Sequence, residues 1–215
     1  MTEHSSEQST LHPSLATNIR FIASNGLLGI LFALFAYAAF QSWRTTGHVQ
    51  SLVLAFQEFL IVGLAVTRRP SRAETRAPWD WLVAFVGTAA PLLQRPGLTL
   101  PALEPLGIAI QVVGTVLATV AVASLGRSFG IVAANRGVQT NGMYRFVRHP
   151  LYGSYMVGYF GFVLGNLSVL NIVLICLTIL CQYARTLAEE RILLDDAEYQ
   201  RYAQRVHYRF IPFLF

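Results

Sequence analysis

The chain has 215 residues, of which 54% are hydrophobic and only 13% charged, with a formal net charge of +5. A soluble globular domain carries about 25% charged residues. This composition, with a mean hydropathy of +0.48, therefore excludes an ordinary soluble domain and describes an integral membrane protein. All sixteen basic residues are arginines, and their spacing is that of a topology signal, which leaves no case for nucleic-acid binding.

In chain order, residues 1–18 are polar and read as a disordered tail. Apolar runs follow at residues 21–40, 51–67, 81–93 and 106–125. The first is too long and too poorly flanked to be a cleavable signal peptide. The third is short, since a spanning helix needs roughly 17–25 residues. Residues 151–184 contain no charge at all. That stretch is too long for one span and reads as two helices of roughly 16 residues each, turning at Gly165-Asn166-Leu167-Ser168. Residues 185–206 alternate polar and apolar positions at helical spacing, as a surface helix does, and residues 208–212 end the chain as an amphipathic strap. The expected fold is an all-α integral membrane protein with about six transmembrane helices, the last two a helical hairpin, followed by a C-terminal amphipathic cytosolic helix.

Orientation follows from arginine. Arg68, Arg69, Arg72 and Arg76 follow the second run and mark a cytoplasmic loop. Counting spans from there puts both termini inside, together with Arg127, Arg136, Arg145 and Arg148, and leaves only Arg44 and Arg95 outside. The expected organisation is a tail at 1–18, a four-helix transmembrane region at 19–125, and a core at 126–215 that holds nine of the sixteen arginines.

Within the fourth run, Gly107, Gly114, Ala118 and Ala121, with Gln111 among them, form a small-residue seam suited to close helix packing. Cys176 and Cys181 read as buried thiols. The five histidines show no ligand spacing, so no metal site is expected. Glu58 stands inside the second run. It is either protonated or hydrogen-bonded to a neighbouring helix, or it lines a substrate cavity.

The candidate chemistry gathers at two places. Residues 141–152 read Asn-Gly-Met-Tyr-Arg-Phe-Val-Arg-His-Pro-Leu-Tyr, and residues 189–191 read Glu-Glu-Arg. Pro150 is placed to open a helix whose N-terminus, with Arg148 and His149 before it, favours an anionic group. Tyr144 and Tyr152 offer aromatic faces and hydroxyls, and Gly142 allows close backbone approach. A hairpin of two similar helices returns Glu189 and Glu190 to the same surface. Cations, carboxylates and aromatic rings so gathered suit a zwitterionic ligand with an aromatic base; interfacial ion pairs that only anchor the hairpin are the other reading.

The run from Thr140 to Tyr152, the uncharged hairpin, Glu189-Glu190-Arg191, Tyr199, Tyr202 and Arg209-Phe210-Ile211-Pro212 resemble the isoprenylcysteine carboxyl methyltransferase and phospholipid methyltransferase superfamily. The resemblance covers roughly residues 125–213 and leaves the first four runs outside; the Phe-Gly pair usual in that family after the acidic helix is missing. The resemblance implies S-adenosylmethionine as cofactor, bound beneath the C-terminal segment. It implies that Gly142, Tyr144, His149, Pro150 and Tyr152 form one wall of the cofactor site and Glu189 and Glu190 the other. Arg148 then sits by the methyl acceptor or the cofactor carboxylate, Arg148 and Glu190 are the catalytic candidates, and Glu58 and Arg148 contact a lipophilic or small-molecule acceptor arriving from membrane lipid. The implied chemistry is an in-line methyl transfer governed by alignment and exclusion of water. Two other readings stand beside it. The tail and the Arg-His-Pro element are also similar to NADPH-dependent sterol reductases. A non-enzymatic scaffold or transporter subunit would instead use Glu58 and the glycine-lined fourth run to line a path.

Overall fold

A computed structural model describes residues 15–47, 49–95, 97–98 and 100–212. The described residues are mostly helical. The helices are α1 (Leu15–Thr46), α2 (Val49–Thr67), α3 (Pro78–Ala89), α4 (Glu104–Leu125), α5 (Pro150–Gly165), α6 (Val169–Leu193) and α7 (Ala197–Arg205). Of the expected tail, residues 1–14 lie outside the described residues, and residues 15–18 belong to α1.

Local chemistry sets the helix ends. Proline occupies the first turn of α3, α4 and α5, where its missing N–H costs nothing. Ser168 caps α6 by accepting from the Asn171 amide, and Asp196 caps α7 by accepting from the Glu198 amide. The third apolar run is an α3 of 12 residues followed by a 3-10 turn at Ala90–Leu93, with Pro91 closing the α-helical ladder.

Three of the described helices, α1, α4 and α6, are long and apolar enough to cross a membrane. The apolar stretch of α2 is shorter, and α3 and α5, with 12 and 16 residues, also fall short. Length therefore identifies three spans, against the six expected from counting apolar runs. A two-residue antiparallel ribbon, β1 (Ala73–Glu74) with β2 (Ala134–Asn135), departs from the purely α-helical expectation.

The small-residue seam of α4 packs against α5. An added Cβ on Gly114 would lie 2.4 Å from the Gly158 nitrogen, and one on Gly107 would lie 2.8 Å from the Gly161 carbonyl oxygen. The reciprocal contact at Gly161 meets the Gln111 nitrogen at 2.6 Å. Backbones this close permit no larger side chain. α1 packs on α2, and α3 on α6, where Gly87 faces the Cys181 Cβ at 2.9 Å. Of the two cysteines, Cys181 is buried, but Cys176 is exposed on the outer face of α6.

α5 and α6 are joined as expected at Gly165–Ser168, but they are not a tightly packed hairpin. α5 lies chiefly against α4, and α6 chiefly against α3. Side chains of both helices line a common cavity, where Tyr159 is hydrogen-bonded to Gln182.

The arginine-rich segments collect at one end of the bundle. Arg68 reaches back to α1, donating from Nε to Asn25 Oδ1 at 2.5 Å and from Nη2 to Ser24 at 2.7 Å. Arg72 meets Asp196 at 3.6 Å, Arg136 meets Glu74 at 3.2 Å, and Arg191 meets Asp80 at 3.6 Å. Arg95, in contrast, lies at the other end, where its main chain is bonded to the Asn171 amide group.

Candidate active site

The segment before α5 is shaped by tight local bonds. Gly142 has φ +60°, a left-handed conformation that favours glycine. Its open side faces Ser124, whose Oγ would lie 2.3 Å from an added Cβ. The group that approaches Gly142 closely is thus the end of α4. A 3-10 turn at Gly142–Arg145 then buries Tyr144. Tyr202 of α7 donates to the Tyr144 carbonyl at 2.7 Å, fixing α7 beneath the turn.

Residues 206–212 cross the mouth of α5. The Arg148 amide donates to the Tyr208 carbonyl at 2.9 Å and the His149 amide to the Arg209 carbonyl at 2.8 Å. Gly153 leaves room for this strap, because an added Cβ would lie 2.8 Å from the Phe210 carbonyl oxygen. The amides of Arg148 and His149, which precede α5, are therefore engaged by backbone carbonyls.

The two glutamates face different ways. Successive helical residues point about 100° apart, so one pair cannot serve one wall. Glu190 is buried and turns to the strap. Its carboxylate meets Arg148 Nη1 at 3.0 Å, His149 Nε2 at 3.2 Å and Arg209 Nη2 at 3.0 Å. The hydrogen bonds that Arg209 donates to the Glu190 carboxylate raise its pKa above the ordinary value. Glu189 faces inward, accepting from the Tyr152 hydroxyl and lying 3.6 Å from His149 Nδ1. His149 stacks on Tyr152 with ring centroids 6.0 Å apart.

Beyond this cluster the cavity extends between the helices, with a volume of about 580 Å³. Small-molecule and cofactor sites fall within roughly 300–1,000 Å³. Its strap-side end is lined by Tyr144, Arg148, His149, Tyr152, Glu189, Tyr199 and Tyr202, with Arg136 and Arg185 beside them. Gly142, Pro150 and Glu190 do not line it. Burial pushes the Tyr144, Tyr199 and Tyr202 hydroxyls above their ordinary pKa, so all three remain neutral donors. Burial likewise lowers Arg136, with Arg68 acting in the same direction.

The other end is lined by Phe35 and Ala38 of α1, Leu54, Gln57 and Glu58 of α2, Leu92 and Gln94 after α3, and Gln111 and Thr115 of α4. The first helices thus form part of the same cavity.

Arg185 carries more of the site than its place in the sequence announces. It is buried, donates to the Ile131 carbonyl at 2.6 Å and to Gln182 Oε1 at 3.0 Å, and lies 5.1 Å from the centre of the Tyr152 ring. The signal available in the sequence was the spacing of Gln182, Arg185 and Glu189, which places all three on one face of a helix.

Among the described residues, the buried side-chain polar atoms without a hydrogen-bond partner are Glu58 Oε2, Gln94 Nε2, Arg136 Nε, Arg148 Nε, Arg185 Nε and Tyr199 Oη. Every one belongs to a residue lining this cavity. Buried polar groups are ordinarily satisfied, and among the described residues the exceptions gather around this one cavity.

A mostly helical membrane protein with a large, partly polar internal cavity is the class defined so far. Residues 103–198 match the family model described as phospholipid methyltransferase. The matched segment includes α4, which the sequence resemblance left outside, and stops before the strap. A solved structure of a eukaryotic intramembrane Ras methyltransferase, an isoprenylcysteine carboxyl methyltransferase, is similar at 17% identity over 90% of this chain and 77% of that one, with a TM-score of 0.42. That likeness is too distant to carry function across. No curated protein matches the chain.

Proposed function

We propose that this protein is an S-adenosylmethionine-dependent methyltransferase that acts on a lipophilic acceptor within the membrane. The observation that carries this reading is the cavity, polar and aromatic at the strap and extending among α1–α4, which is lined by every described residue that has a buried side-chain polar atom without a partner. The match of residues 103–198 to phospholipid methyltransferases supports it. In this reading the six apolar helices all cross the membrane, and the arginine-rich end and both termini face the cytosol.

The donor set fits the cofactor. Arg148 and Arg185, each with a buried Nε lacking a partner, would hold its carboxylate. Glu189 would accept from its amino or ribose groups, and Tyr144, Tyr152 and Tyr199 would flank its base. When bound, the cofactor supplies an electrophilic methyl group on a sulfonium. The protein's own part is to bind, orient and exclude water. Tyr152, held by Glu189 and Arg185, fixes one wall. The strap closes the cytosolic mouth through Tyr208 and Arg209. Glu190 acts as a positioning residue, since it touches Arg148, His149 and Arg209 but does not line the cavity.

Calorimetry with S-adenosylmethionine and S-adenosylhomocysteine on detergent-purified protein tests this proposal. The expected result is binding by wild type, lost in Glu189→Ala. Absence of binding by folded wild type overturns the reading, and NADPH is then the ligand to try.

A further inference from the structure

Glu58 takes no part in the cofactor wall, and α2 precedes the segment matched to phospholipid methyltransferases. Leu54, Gln57, Glu58 and Ile61, which share one face of α2, all line the cavity. Gln57 is satisfied, accepting from Thr119 at 3.3 Å. Glu58 is different, because its Oε2 is buried with no partner. It lies near Tyr155, just under one turn along α5 from Tyr152 and hence further into the bundle than the Tyr152–Glu189 contact. The surrounding wall mixes apolar Phe35, Ala38, Leu92 and Phe162 with polar Gln94, Gln111 and Thr115.

A carboxyl group so placed is matched by a ligand that donates a hydrogen bond. The free oxygen accepts in either protonation state. A ligand carboxylate would meet a like charge there, or would have to take the one proton available. Resting on the methyltransferase reading, we infer that Glu58 selects the acceptor, seating an apolar molecule whose polar end is a hydroxyl or amine and disfavouring one that ends in a carboxylate. Glu58 is a specificity-determining residue in this scheme.

The test uses binding, independent of turnover. Decanol, decylamine, decanoate and methyl decanoate are compared by native mass spectrometry on full-length protein in nanodiscs, for wild type, Glu58→Gln and Glu58→Leu. S-adenosylhomocysteine binding is measured in parallel. Wild type is expected to bind decanol and decylamine about tenfold more tightly than decanoate or the ester, as a hydrogen bond to a charged or buried carboxyl provides. Glu58→Leu should erase that preference, Glu58→Gln should admit decanoate, and both should keep S-adenosylhomocysteine binding. Equal binding of decanoate, an unchanged preference in Glu58→Leu, or no binding of any probe while S-adenosylhomocysteine still binds would overturn the inference and leave the cofactor site standing. Loss of S-adenosylhomocysteine binding in wild type would instead remove the methyltransferase reading beneath it.

Discussion

α5 treats its two neighbours in opposite ways. Toward α4 it presents Gly158, Gly161 and Gly165, and the two backbones touch. Away from α4 it presents Tyr152, Tyr155, Tyr159 and Phe162 to a cavity, and it reaches α6 through Tyr152 and Tyr159. One 16-residue helix is thus both a packing surface and a site wall. Without a hydrophobic drive between helices in lipid, close contact comes from small residues. Large aromatic and polar side chains hold the other face open.

The steepest test of this contrast is Gly114→Val. Its Cβ would fall 2.4 Å from the Gly158 backbone, so we expect the α4–α5 contact to fail at a cost of about 3 kcal/mol, read as loss of cooperative melting in detergent. Gly158→Ala is the counterpart. An added Cβ there meets nothing within 4 Å, so the melt should hold while ligand binding weakens as the methyl enters the cavity. Equal damage by both variants would break the comparison.

The two glutamates of α6 separate the same way. Glu190→Ala leaves Arg148 and Arg209 without their carboxylate, and breaking a buried pair from one side costs about 3 kcal/mol or more; partial exposure of Arg209 reduces this. Protease cleavage near the strap should accelerate. Glu189→Ala should cost cofactor binding with a smaller change in melting. The reverse pattern would exchange the roles assigned to them.

The smallest effect concerns α7. Asp196 is held below the usual carboxylate range by the Asn135 amide group, then by the Glu198 amide and Arg72. Its contribution is full above about pH 4 and falls as pH drops through the lower folded-state value. Asp196→Ala should lower stability by about 1 kcal/mol at neutral pH, as a lost helix cap does. Melting curves of the variant should also depend less on pH in the acid range.

Much of the helical frame was legible in the chain. The apolar runs at 51–67 and 106–125 became α2 and α4, and the turn at Gly165–Ser168 fell where the Gly-Asn pair placed it. Convergence of His149 with Glu189 and Glu190 followed from hairpin return. Separation of α5 from α6 did not, because apolar content reveals that a helix is buried without saying which neighbour it meets. Arg185 was passed over for a related reason: at the edge of an uncharged run it reads as the membrane boundary, whereas the folded chain buries it against Ile131 and Tyr152. The β1–β2 ribbon is two residues long, too short for any alternation to announce it. The strap's hold on the Arg148 and His149 amides depends on contacts across most of the core, beyond the reach of local pattern.

That hold has a consequence for how the protein is made. Tyr208 and Arg209 follow in the chain every helix they lock in place, so the helices α1–α6 are made before the strap that crosses the start of α5. The hydrogen bonds to Arg148 and His149 thus join the last-made segment of the chain to the start of a helix made some sixty residues earlier, and the finished site waits on them.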